Sequence, residues 1–84
     1  MYYMVRHYIC DNVREARAKA YEIHRERFMS AWKEPIYKYE HGKGKLAGYL
    51  RYDSGKRLLF WEESDGIWTV GRTTGQTVKR CGKQ

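Results

Sequence analysis

The sequence predicts a small α+β domain: an N-terminal strand, one amphipathic helix, then a four- or five-stranded antiparallel meander with the helix packed on one face. Three observations predict it. Residues 2–10 are rich in β-formers without Gly or Pro. Residues 12–33 carry apolar side chains at helical spacing. From Ile36 onward, short β-type segments are separated by Gly44, Gly55, Gly66 and Gly75 at near-regular intervals. No linker or low-complexity stretch interrupts residues 1–84, so they read as a single domain with strand 2–10, helix 12–33 and β-meander 36–81.

The helix has a clear start. Asn12 is a good N-cap, Glu15 stands at capping-box spacing, and Asp11 adds negative charge near the helix N-terminus. At 100° per residue Val13, Ala16, Ala20, Ile23, His24, Phe28 and Ala31 share one face, and Glu15, Lys19, Glu22, Glu26 and Lys33 gather opposite. The alanines suit close approach to a sheet, and His24 in mid-stripe reads as a core histidine. Pro35 sets the limit, so the helix is expected to run to Trp32 or Lys33.

Composition shapes the core. Leu, Ile, Val and Phe make up only 14 of 84 residues, and the net charge is +7, values that border on disorder. Eight Tyr, three Trp and two Phe supply the missing apolar area. No apolar run is long enough to span a membrane, and no secretory signal opens the chain. Two cysteines, Cys10 and Cys81, are fewer than a small secreted scaffold uses, so free thiols and a cytoplasmic location are expected.

The turns Asp53-Ser54-Gly55, Ser64-Asp65-Gly66 and Thr73-Thr74-Gly75 share one form, two turn residues before a glycine. Read as three-residue loops they pair residue 52 with 56, 63 with 67 and 72 with 76. One face then collects Leu46, Leu50, Leu58, Phe60, Trp68, Val70 and Val78 as core. The other collects Tyr49, Arg51, Arg57, Trp61 and Lys79, and a turn at 42–44 adds Tyr37 and Tyr39. In this register Arg51 faces Arg57, with Lys56 and Arg72 at the same end, a repulsion that an anion would relieve. Glu62, Glu63 and Asp65 fall at the other end, beside Lys43 and Lys45.

No catalytic constellation stands out. The serines lack His/Asp partners, Gly42-Lys43-Gly44-Lys45 lacks phosphate-loop spacing, and His7-x-x-Cys10 does not complete a zinc set. The sequence therefore reads as a non-enzyme with no metal or cofactor. The function it points to is nucleic-acid binding through the aromatic, basic sheet face. Tyr37, Tyr39, Tyr49 and Trp61 would stack on bases, and Arg51, Lys56, Arg57, Arg72 and Lys79 would meet phosphates. A plainer reading makes this a solvated face, and another curls the sheet into a small barrel around Tyr49 and Trp61. A third function, weaker on so small a chain, is a nucleotide sponge.

In size, α+β plan and aromatic richness the chain is similar to the short accessory proteins of phages and mobile elements, among them anti-CRISPR and other anti-defence inhibitors. That resemblance assigns no residue. It implies an alternative function, inhibition of a host protein or a nucleic-acid-handling complex in the host cytoplasm.

Overall fold

The computed structural model describes residues 1–26, 29–70 and 79–81, with Val70 described by its backbone alone. In chain order the elements are β1 (Tyr2–Val5), β2 (Tyr8–Cys10), α1 (Val13–His24), β3 (Trp32–Glu40), β4 (Lys43–Asp53), β5 (Leu58–Glu63), β6 (Thr69–Val70) and β7 (Lys79–Arg80). The sheet order is β5-β4-β3-β1-β2-β7, and β6 adds a second short pairing to β4. Because β2 and β7 run parallel, the sheet is mixed, not a pure meander. The one helix among the described residues packs on one face, so the α+β class holds.

The N-terminal segment is two strands. Arg6, in the left-handed region at φ 56°, turns the chain with His7 so that Val5 pairs with Tyr8. The helix starts where its cap predicts: Glu15 N–H donates to Asn12 Oδ1 at 2.9 Å, and Asp11 N–H donates to Glu15 Oε1 at 3.1 Å. It ends at His24, eight residues short of the expected Trp32. In a continuous helix those two residues would lie about 12 Å apart along the axis. Instead the His24 and Trp32 rings stack with centroids 4.2 Å apart, because the chain turns back and Trp32 opens β3. Pro35 is tolerated inside that strand because β1 pairs only with Tyr37–Tyr39, leaving β3 a registered neighbour on one side at residue 35.

Val5, Cys10, Ala16, Ala20, Ile36 and Leu50 form the core between helix and sheet, with Tyr3, Tyr8, Ile23, Trp32 and Trp61 packed around it. Ala16 and Ala20 are fully buried, which brings the helix close to the strands. At the end of the helix a charged cluster enters this layer. Glu34, only 4% exposed, accepts from Arg6 Nε (3.1 and 3.2 Å) and Nη2 (3.1 Å) and from His24 Nε2 (2.7 Å). His24 is 5% exposed, and its Nδ1 has no hydrogen-bond partner among the described residues.

The thiols are not free. β7 lies beside β2, Cys81 N–H donates to Ile9 O at 2.8 Å, and Cys10 and Cys81 are joined as a disulfide with Cα atoms 5.3 Å apart. A bridge spanning 71 residues stabilises by roughly 4 kcal/mol in the chain-entropy model. The expectation of two free thiols, drawn from the low cysteine count, is therefore corrected: the two cysteines pair with each other. Among the described residues, no helix is long and apolar enough to cross a membrane.

Glu34→Ala should destabilise the fold by roughly 3 kcal/mol, the lower end for breaking a buried ion pair, because the Arg6 side chain is 48% exposed and reaches water once released. Glu22→Ala, which breaks the surface pair with Lys19, should cost under about 1 kcal/mol. Urea denaturation of the two variants checks the ranking.

A candidate binding face on the open side of the sheet

Alternation along β1, β3 and β4 divides the sheet cleanly. Val5, Ile36 and Leu50 point at the helix, so Tyr2, Met4, Lys33, Pro35, Tyr37, Tyr39, Tyr49 and Arg51 point away from it. Two irregularities set this arrangement. The β3–β4 loop is two residues, His41 (φ 53°) and Gly42 (φ 77°), both left-handed as a tight hairpin requires, and it places Tyr39 opposite Gly44. A bulge at Ile36/Tyr37 then brings Pro35 opposite Tyr49. Tyr37 and Tyr39 consequently share the face of Tyr49, although the expected three-residue turn at 42–44 does not form.

The face is built of stacked rings and flanking charge. Tyr2 and Tyr39 stack with centroids 5.3 Å apart and planes 14° from parallel. Lys33 Nζ lies 4.4 Å from the centre of the Tyr49 ring, and the Arg51 guanidinium lies 5.6 Å from that of Phe60. Tyr37 is 41% exposed, and Tyr2 and Phe60 are exposed as well.

The strand that follows differs from expectation. The β4–β5 loop has four residues, Ser54 to Arg57, because the Asp53 carboxylate accepts from Gly55 N–H (3.0 Å) and Lys56 N–H (3.3 Å), and Arg57, not Gly55, takes the left-handed conformation (φ 53°). Asp53 pairs with Leu58, and the odd shift exchanges the two faces of β5. Leu58 and Phe60, expected in the core, lie on the open face. Trp61, expected on the open face, packs on the helix side, where Arg17 lies 5.4 Å over its ring. Gly48 makes room for it, since a Cβ there would come within 2.5 Å of the indole and of Glu62 O.

The expected basic row is dispersed. Arg51 faces Phe60, not Arg57, and Arg51 Nη1 donates to Glu62 Oε1 at 2.7 Å, so Glu62 neutralises Arg51 and not the lysines at 43 and 45. Lys45 instead lies over Trp68, which is 37% exposed and not core. Lys56 and Arg57 sit in the loop at the end of the face. Lys79 is on β7 at the far edge, paired with Tyr8. The second turn does not close a hairpin: after Glu63 the chain continues along β4, with Ser64 N–H donating to Ala47 O (3.0 Å) and Thr69 pairing with Gly44. Arg72, the Thr73–Gly75 turn and Val78 lie outside the described residues, as does the side chain of Val70.

Two residues that matter escaped sequence reasoning. Glu34 gives no signal while the helix is drawn through residue 33. Tyr2 is visible only once the 2–10 segment is folded into two strands. The Arg6–Glu34–His24 cluster lies between helix and sheet with its His24 and Glu34 side chains buried, and Arg6 reaches it from the half-exposed side. Compared with protein-family models, with curated proteins and with solved structures, the chain matches none.

The Tyr39 hydroxyl is held above its ordinary value of 10.0, first by burial and then by the neighbouring Tyr2 and Tyr37 hydroxyls. A raised folded-state value favours the folded protein fully below the unfolded phenol's range and loses that contribution as pH rises through the folded value. Stability should therefore fall above about pH 10, and Tyr39→Phe should flatten that part of the profile. Denaturant midpoints of both proteins across alkaline pH check this.

Proposed function

We propose that the protein is a non-catalytic binder of single-stranded nucleic acid, working through the open face of the sheet. The observation that carries this reading is the set of five rings, Tyr2, Tyr37, Tyr39, Tyr49 and Phe60, gathered on the face away from α1 with Lys33 and Arg51 among them. Rings on a sheet offer every base a stacking surface without reading its sequence, and cations beside them reach the backbone. A flat sheet suits splayed single strands better than a duplex, whose bases are already stacked.

The charge arrangement sharpens the mode. With Arg51 held by Glu62, the face relies on stacking more than on phosphate neutralisation. Lys33, Lys56 and Arg57 are its principal phosphate contacts. The net charge of +7 contributes a general attraction to polyanions. A cytoplasmic location is part of this reading and rests on the proposed ligand class alone. The Cys10–Cys81 bond is of a kind that reducing compartments seldom keep, and neither cysteine belongs to the proposed face.

The expected result is binding of single-stranded oligonucleotides in preference to duplex, measured by fluorescence anisotropy. Tyr49→Ala and Tyr37→Ala should each cost roughly 1–3 kcal/mol of affinity. Glu62→Gln should strengthen binding by freeing Arg51, and the salt dependence should be shallow, about 0.7 log unit per decade for each phosphate contacted. Retention of no polyanion at low salt, together with recovery of one stoichiometric protein from cells, would replace this reading with the inhibitor one.

A further inference from the structure

Among the described residues, β5 has β4 on one side and no strand on the other. It carries Leu58, Leu59 and Phe60 in succession, 49%, 38% and 36% exposed. Alternation sends Leu58 and Phe60 to the open face and Leu59 to the helix face, so apolar surface is uncovered on both sides of one edge. Several usual protections of an exposed edge are missing from the strand, which has no proline, glycine or lysine and pairs to β4 without a bulge, and its two charges, Glu62 and Glu63, lie at one end beyond the apolar run. Only another strand covers an edge and both of its faces at once.

We propose that this edge pairs with the same edge of a second copy, antiparallel about a two-fold axis, to join two sheets into one. The occupant is argued from the sequence of the strand, which is complementary to itself. In an antiparallel pair opposed side chains share a face, so a two-fold dimer must pair residues of equal parity. With Leu59 on the axis, Leu59 meets Leu59, Leu58 meets Phe60, and every pair within the exposed run is apolar. Beyond the strand, the turn that carries Lys56 and Arg57 lies at the end of β5 where Glu62 and Glu63 of the second copy arrive, opposite charges at both ends of the contact. Moving the axis to Phe60 would set Leu58 against Glu62, and moving it to Leu58 would set Lys56 against Phe60. The Leu59-centred register is thus the one in which every pair within residues 58–60 is apolar, and Arg57, just outside the strand, falls level with the Trp61 ring of the second copy, a cation beside an indole.

Six residues of strand per copy make a contact smaller than the roughly 800 Å² per partner of a standard interface, so the dimer dissociates on dilution. The two open faces become continuous across the axis, with Lys56 and Arg57 of each copy at opposite rims beside the seam. The pairing does not depend on the nucleic-acid reading.

Sedimentation velocity on the full chain, with its disulfide intact, tests it. The wild-type protein should pass from monomer to dimer as concentration rises. Leu59→Lys, which places like charges on the axis, should remain monomeric, as should Leu59→Glu, and an equimolar mixture of the two should form dimers again. Loss of folding does not produce that rescue. Leu59→Cys should cross-link two chains under mild oxidation, and Ala18→Cys, exposed on the helix, should not. A wild-type monomer at every concentration, a dimer that survives Leu59→Lys, no recovery on mixing, or equal cross-linking at 59 and 18 would each overturn the proposal.

Discussion

A buried carboxylate organises this fold. Glu34 stands where a small domain can least accommodate a charge, and only groups from two other parts of the chain can satisfy it there. Arg6 reaches it from the turn that divides β1 from β2, and His24 reaches it from the last turn of the helix. Both contacts require the chain to reverse between His24 and Trp32, and the stacking of those two rings, with Tyr52 beyond, closes the layer over them. Burying a charged group earns little net stability. What it provides is a single arrangement, because sliding β3 by one residue would leave the carboxylate in water and Arg6 and His24 without their acceptor.

That constraint reaches the other side of the sheet. Strand alternation has a period of two, so a Glu34 fixed inward fixes Lys33 and Pro35 outward, and Tyr37 and Tyr39 follow on the same face. The tyrosine face is thus a consequence of what the core requires of β3. The same packing closes the polar cluster away from solvent on its histidine and glutamate sides and leaves the aromatic surface open. The proposed recognition would use the rings as platform, with Lys33 and Arg51 at their edges.

The sequence was most legible where local chemistry decides. The Asn12 cap and Glu15 fix the helix start by hydrogen bonds within four residues, and the inward stripe of Ala16, Ala20 and His24 holds wherever the helix is drawn. It was least legible where two local solutions were both acceptable. Between His24 and Pro35 no glycine or proline ends the helix, and Ile23, Phe28 and Ala31 keep its period. Only the meeting of His24, Trp32 and Glu34 in three dimensions overrides that pattern. Leu58-Leu59-Phe60-Trp61 does not alternate, so either register offered a plausible core and the choice fell to the loop. Asp53 as a side-chain acceptor for the loop backbone was the available sign that the turn holds four residues. Of the proposed face, Tyr37, Tyr39, Tyr49 and Arg51 were legible. Trp61 and Phe60 exchanged places, and the Arg51–Arg57 row was an artefact of the shorter loop.

The account rests on one assignment, that the open face of the sheet is where a ligand lies. Side-chain NMR during titration with a short single-stranded oligonucleotide tests it directly. The account predicts shifts in the rings of Tyr2, Tyr37, Tyr39, Tyr49 and Phe60, with the Trp61 indole and the alanine methyls of the helix unmoved. Shifts concentrated on the helix or on Trp61, with the tyrosine rings silent, would contradict it.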